Sequence, residues 1–178
     1  MSETLRSTFA LTRRAATAPL TASLPETVIF RPLKGAILQL MARPAQLDRA
    51  DLKAEWADLP ETALRAAGPG QWFLVLDDAQ EAEALAARIS PLVAIVDQSH
   101  GRARFLLSGR SVRQVLARGT AVDLHPAQFA IGQSAMTLFG HIGMHLTRVG
   151  EDAFEYLVLR GFAQSLQDEI CAIIGTMR

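Results

Sequence analysis

The chain has one cysteine, Cys171, in 178 residues, so no disulfide can close within it. That usage suits a reducing compartment, and a cytoplasmic location is the expectation. A reactive thiol needs a base or cation beside it, and none is near Cys171 in sequence. It is read as a small core residue of the last helix. No apolar run approaches the ~20 residues needed to cross a bilayer. Charge of either sign is not in excess: 18 basic residues balance 18 acidic ones. A neutral chain gives no long-range steering toward nucleic acid. Aromatics make up only 6%, too few for the exposed stacking platforms of a sheet that reads RNA. What remains is 49% hydrophobic residues, enough in a chain of this length to bury a real core.

The first 32 residues differ from the rest. Pro19, Pro25 and Pro32 punctuate them, and their apolar residues keep no period. Arg6, Arg13 and Arg14 among Ser, Thr and Ala give a weak likeness to a mitochondrial presequence. The segment is read instead as an extended arm, with Leu5, Phe9, Leu11, Leu20 and Leu24 available to bury on another surface. Residues 33–178 are read as a single domain.

Within that domain Leu33–Ala42 predicts a strand closed by Pro44. Short helices are predicted over Leu47–Trp56 and Glu61–Ala67, followed by a turn at Gly68-Pro69-Gly70. Trp72–Leu76 reads as a buried strand. Asp78 with Glu81 three residues on resembles a capping box for a helix whose apolar face is Ala82, Leu85, Ala86 and Ile89. Strands follow over 91–97 and 102–108 around the turn Ser99-His100-Gly101. Ser108 or Ser111 caps a helix with Val112, Val115 and Leu116 facing inward, and Gly119 suits a left-handed C-terminal position. Strands are predicted over 133–140, 142–149 and 154–159. Phe162, Leu166, Ile170, Ile173 and Ile174 make the apolar face of a final helix. The expectation is an α+β fold, with helices packed on one or two antiparallel or mixed sheets in a ferredoxin-like βαββα order.

Candidate chemistry is sparse. His141 and His145 are spaced i, i+4, which suits metal ligation on a helix. Their glycine-rich segment reads as strand, where four residues span about 13 Å, too far for one ion. His100 falls in a turn. His125 precedes Pro126 in a loop, with Asp123 nearby; an Asx turn is the expected role of that aspartate. Ser108-Gly109-Arg110-Ser111 lacks the frame of a P-loop and is read as capping. Gly68 and Gly70 precede a strand where a dinucleotide fingerprint must follow one. Asp97, Asp123 and Glu151 are the carboxylates available to pair with a pterin, and Trp56 and Trp72 are read as core or interface anchors. The expectation is no catalytic, cofactor-binding or metal-binding residue in this chain.

Several runs carry a resemblance. Gly68-Pro69-Gly70-Gln71-Trp72, Asp97-Gln98-Ser99 and Leu107-Ser108-Gly109-Arg110 resemble passages of the glycine-cleavage T-protein-like folate domains. Asp123-Leu124-His125-Pro126, Phe129, Gly132, Thr137-Leu138, Asp152-Ala153-Phe154-Glu155 and Arg160-Gly161-Phe162-Ala163, in that order, resemble the gamma subunit of heterotetrameric sarcosine oxidase. Residues 68–172 carry the resemblance, 33–67 carry it poorly and the arm hardly at all. Gly161 stands where that family is expected to have serine, a change in local capping. Gly70-Gln71 replaces an acidic pair. The resemblance implies a T-protein-like domain serving as a noncatalytic subunit of an enzyme that oxidises sarcosine to glycine and passes the one-carbon unit to tetrahydrofolate. It implies FAD, FMN, NAD and tetrahydrofolate on partner subunits, zinc on the delta subunit, and alpha, beta and delta subunits as partners. The alternative is an autonomous folate-binding or aminomethyltransferase-like protein. A matched stretch of half the length of a full folate domain argues against it.

Overall fold

Strand alternation in Ala153–Leu159 sets the layout. Phe154, Tyr156 and Val158 point to one face of their sheet and Glu155 and Leu157 to the other, and all five are buried. A strand buried on both faces needs a layer on each side. The computed structural model describes residues 14–19, 27–42 and 59–177. The strands are β1 (Ile29–Leu33), β2 (Ala36–Ala42), β3 (Leu64–Gly68), β4 (Gln71–Leu76), β5 (Val93–Asp97), β6 (Arg102–Ser108), β7 (Ser134–Phe139), β8 (Ile142–Gly150) and β9 (Ala153–Leu159). The helices are α1 (Ala79–Ile89), α2 (Val112–Ala117) and α3 (Ala163–Gly175), the last entered through a 3-10 turn at Arg160–Phe162.

Both sheets are antiparallel throughout. One has the order β1-β6-β9-β8-β7, the other β3-β4-β2-β5. The smaller sheet buries Leu38, Leu40, Trp72, Leu74 and Leu76 under Ala82, Leu85 and Ile89 of α1. The larger buries Phe105, Leu107, Met144, Leu146, Phe154 and Tyr156 under α2 and α3. The opposite faces meet each other, where Ile37, Phe73 and Val75 pack on Leu157. The molecule is therefore layered helix, sheet, sheet, helices. The βαββα run occurs as expected from β4 to α2, but it is divided: β4 and β5 lie in the smaller sheet and β6 in the larger.

Several local expectations change. The strand read over Leu33–Ala42 is two strands. The chain leaves the larger sheet at Leu33, turns at Gly35 and enters the smaller sheet at Ala36. Gly35 has φ +123°, and a Cβ there would lie 2.1 Å from the Leu76 carbonyl oxygen, so only glycine fits. Ile29–Leu33, whose first four residues fall in the segment read as an arm, pairs with β6 as an edge strand. Glu61–Ala67 is not a helix: Leu64–Gly68 pairs with β4. Its Ala, Leu and Arg favour helix, but pairing with β4 buries Leu64 and Arg65 and decides for strand. The helix read over Leu47–Trp56, and Trp56 itself, lie outside the described residues. Phe162 precedes α3 as its N-cap and is exposed. The capping bond at Asp78 forms as read, its carboxylate accepting from the N–H groups of Gln80 and Glu81. Ser111 makes no side-chain cap bond.

Gly119 is not left-handed. It is small because a Cβ would sit 2.4 Å from the Phe139 ring. Gly119→Ala is expected to lose about 1–3 kcal/mol of stability by forcing that buried ring to shift. Urea unfolding of the two proteins measures it.

Candidate functional site

The face-to-face surfaces of the sheets carry three buried charges; a further one, Arg148, is at the β8–β9 turn. Arg65 on β3, Arg104 on β6 and Glu155 on β9 converge there, and Arg65 is only 2% exposed. Glu155 Oε2 accepts from Arg65 Nη2 at 2.7 Å and from Arg104 Nε at 2.7 Å; Oε1 accepts from Arg104 Nη2 at 2.9 Å. Arg104 is thus bidentate on the carboxylate, the strong geometry for this pair. Its Nη1 donates to Asp77 Oδ1 at 2.5 Å and to the Lys34 carbonyl at 3.1 Å. Arg65 Nε donates to the Thr62 carbonyl at 2.7 Å. The cluster joins the smaller sheet, the larger sheet and the crossover at Lys34. Burial by itself raises the Glu155 carboxyl, but the hydrogen bonds from Arg104 and the charges of both guanidiniums outweigh it and hold it below its ordinary value. Burial lowers Arg65, and Glu155 offsets only part of that.

A second polar contact crosses beside it. His145 on β8 is fully buried, edge-on to Phe73 at 5.1 Å between ring centres. Its Nε2 donates to the Ala66 carbonyl of β3 at 2.8 Å. A carbonyl only accepts, so Nε2 carries the proton and Nδ1 is left to accept from the Thr147 hydroxyl at 3.5 Å. Burial pushes the imidazole down to about 4, and the nearby Arg65 and Arg102 push the same way. The Arg102 guanidinium lies 4.7 Å above the Phe73 ring.

The residues singled out in the sequence fall elsewhere. His141 sits exposed in the β7–β8 turn while His145 is inside, and the two share no site. Among the described residues no three His, Cys, Asp or Glu side chains are grouped to hold a metal ion. Asp123 Oδ1 accepts from the His125 N–H at 2.9 Å, the Asx turn read from the sequence, and His125 Nδ1 accepts from the Ala127 N–H at 3.3 Å. Asp97 Oδ1 accepts from the Ser99 N–H at 2.8 Å, and those Ser99 bonds hold its carboxyl below the ordinary range. Glu151 lies exposed in the β8–β9 turn, which Arg113 and Arg148 pin through its carbonyl. Asp97 ends β5, Asp123 and Glu151 lie in separate loops, and Trp72 is buried beneath α1. Gly109 has φ +113° and a Cβ would meet the Thr27 carbonyl, so its role is close backbone approach. Cys171 is half-buried against the larger core, and burial raises its thiol.

Sequence reasoning missed Arg65, Arg104 and the role of Glu155. The signal for two of them is a charge inside an apolar strand, Glu155 in AFEYLVL and Arg104 in RARFLLS. Glu155→Gln leaves two buried guanidiniums without a counter-charge and is expected to lose about 3–5 kcal/mol, measured by denaturant unfolding. Acid acts on the same layer. His145 has its folded value near 4 against an ordinary 6.5, so the unfolded chain binds the extra proton between those values. Its contribution is complete above pH 6.5 and is lost on falling toward pH 4, roughly 3 kcal/mol in all. That of Glu155 is lost only lower, as pH falls through its depressed value below 4.5. His145→Gln is expected to flatten stability between pH 6.5 and 4 in a pH series of unfolding curves.

No curated protein matches the chain in sequence. Among solved structures it resembles the heterotetrameric sarcosine oxidase from Corynebacterium sp. U-96 in complex with pyrrole 2-carboxylate, at TM-score 0.72 and 22% identity over 83% of this chain and 84% of that one. At that identity the likeness speaks for the fold. Two weaker likenesses are to E. coli aspartokinase III in complex with aspartate and ADP (TM-score 0.45, 14% identity, 82% of this chain, 32% of that one) and to the regulatory subunit of aspartate kinase from Thermus thermophilus (0.43, 15%, 85% and 97%). Neither bears on function. The model of the sarcosine oxidase gamma subunit family matches residues 54–169. That span holds β3 to β9 and all three members of the buried ionic cluster, and the chain belongs to the sarcosine oxidase gamma subunit family.

Proposed function

We propose that this chain is a noncatalytic subunit that supports assembly of a heterotetrameric sarcosine oxidase. The observation that carries this reading is the family match over 54–169. A fold shared with a chain of such a complex adds to it. Its partners are then the alpha, beta and delta subunits, and FAD, FMN, NAD and tetrahydrofolate belong to those subunits. The complex oxidises sarcosine to glycine and hands the one-carbon unit to tetrahydrofolate in the cytoplasm. No described helix is long and apolar enough to cross a membrane, and one cysteine suits a reducing compartment.

The chemistry of the interior supports the same reading. Glu155 accepts three N–H bonds, and His145 is tied at both ring nitrogens. A carboxylate so saturated is not free to take a substrate proton, and an imidazole with its folded value near 4 is a weak base at neutral pH. The domain, residues 33–178 with β1 added to its edge, offers surface, and the arm ahead of it adds more.

A subunit that binds only folded partners stabilises them by mass action. Co-expression of the large subunits with and without this chain tests the reading. The expected outcome without it is a lower yield of flavin-containing complex and a lower thermal midpoint for what does assemble. Equal yield, midpoint and turnover in its absence would overturn the proposal.

A further inference from the structure

Residues 14–19 (Arg-Ala-Ala-Thr-Ala-Pro) lie across the start of α3, and their contacts there run mainly through backbone. The N–H of Ala18 donates to Gln164 Oε1 at 2.7 Å, and the carbonyl of the same Ala18 accepts from Gln167 Nε2 at 3.1 Å. The Arg14 carbonyl accepts from Arg160 Nη2. Gln164 and Gln167 are three apart on the helix and so share a face. Asp168, one turn beyond Gln164, accepts from Gln164 Nε2 at 2.8 Å. A carboxylate only accepts, which fixes the Gln164 amide with its oxygen toward Ala18. Pro19 biases Ala18 to an extended conformation, in which its own N–H and C=O point to one side. Ala16 packs against the larger core. Beneath the segment is a cleft of about 300 Å³ whose inner wall is Pro32, Leu33, Ala103 and Phe105.

We propose that Arg160, Gln164 and Gln167 form a peptide clamp that reads main-chain groups, and that its resident ligand is the chain's own segment 14–19, which roofs this cleft. Two amides answering both polar groups of one extended residue make a strand-like pairing without a strand. Such a clamp reads main-chain groups and not side-chain chemistry, and of the segment's small residues Ala16 packs against the larger core. Asp168 is a positioning residue: it orients Gln164 and touches nothing of the segment.

The test uses the full chain. Amide exchange at Ala18, followed by NMR, is expected to be slowed about tenfold or more relative to an unstructured peptide. Tryptic cleavage after Arg14 is expected to be slowed in parallel. Gln164→Ala, at a half-buried position, is expected to restore most of both rates with the thermal midpoint unchanged. Asp168→Ala is expected to move them part of the way. Gln167 is buried, so its variant is left as a secondary probe. The rates are then compared at two protein concentrations a hundredfold apart. Equal protection at both supports occupancy within one chain. Protection that fades on dilution assigns the ligand to a second copy and overturns that part of the proposal. Unprotected Ala18 in the parent chain, or rates that Gln164→Ala does not change, overturns the clamp.

Discussion

Glu155 sits where the two sheets meet, and the rest of the architecture depends on its carboxylate. The chain begins β1 in the larger sheet, spends β2 to β5 in the smaller one and returns for β6 to β9. The smaller sheet is thus an insertion between two neighbouring strands of the larger. Its own core lies on the far side, under α1. Between the sheets the buried apolar cluster among the described residues is Ile37, Phe73, Val75 and Leu157. That is a small surface to fix the angle of two layers, because apolar contact is non-directional. The Arg65 bond to Glu155 adds direction, since it crosses from β3 to β9, and Arg104, held bidentate by Glu155 within the larger sheet, crosses through Nη1 to Asp77 and the Lys34 carbonyl.

A buried ionic cluster is weak evidence for net stability, because desolvation of three charges offsets much of their attraction. The cluster here shows that balance: burial lowers Arg65 more than Glu155 raises it, and Arg65 Nη1 is buried with no hydrogen-bond partner. Its value lies in specificity. Lys34 and Asp77 extend the same logic, since Arg104 also grips the crossover at Lys34 and the exit of β4 at Asp77. The entry to β2 and the exit from β4 are thereby referred to one guanidinium.

How much of this was legible follows from where each signal lies. Apolar runs, helical spacing and turn residues placed β4, β6, β8, β9 and α1, because each carries its signal within a dozen residues. The Asx turn at Asp123 and the cap at Asp78 are equally local, and both form as read. The errors lie where a distant partner decides. Leu64–Gly68 is strand only because β4 lies beside it. Gly35 divides one apolar run into two sheets, which depends on the Leu76 carbonyl 41 positions away in sequence (76 − 35). Gly119 is dictated by Phe139 packing against it, not by its own φ. Glu155 was visible as part of the motif that carries the family resemblance, but its role needs Arg65, which was read into a helix. A charge within an apolar strand is a request for a partner, and one sequence does not say which basic residue answers it.

The distribution of titratable groups then decides how the molecule answers acid. Within the larger helix-covered core the titratable residues are Tyr156 and, at its margin, Cys171, and burial raises both, so neither changes charge as pH falls. The core under α1 is built from Ala, Leu, Ile, Val and Trp. The layer between the sheets holds Glu155, His145, Arg65 and Arg104 together. Protonating His145 places a cation beside Arg65 and Arg102, and protonating Glu155 removes the anion that the guanidiniums share. Both steps weaken the same layer. Acid therefore acts on the layer that relates the two sheets.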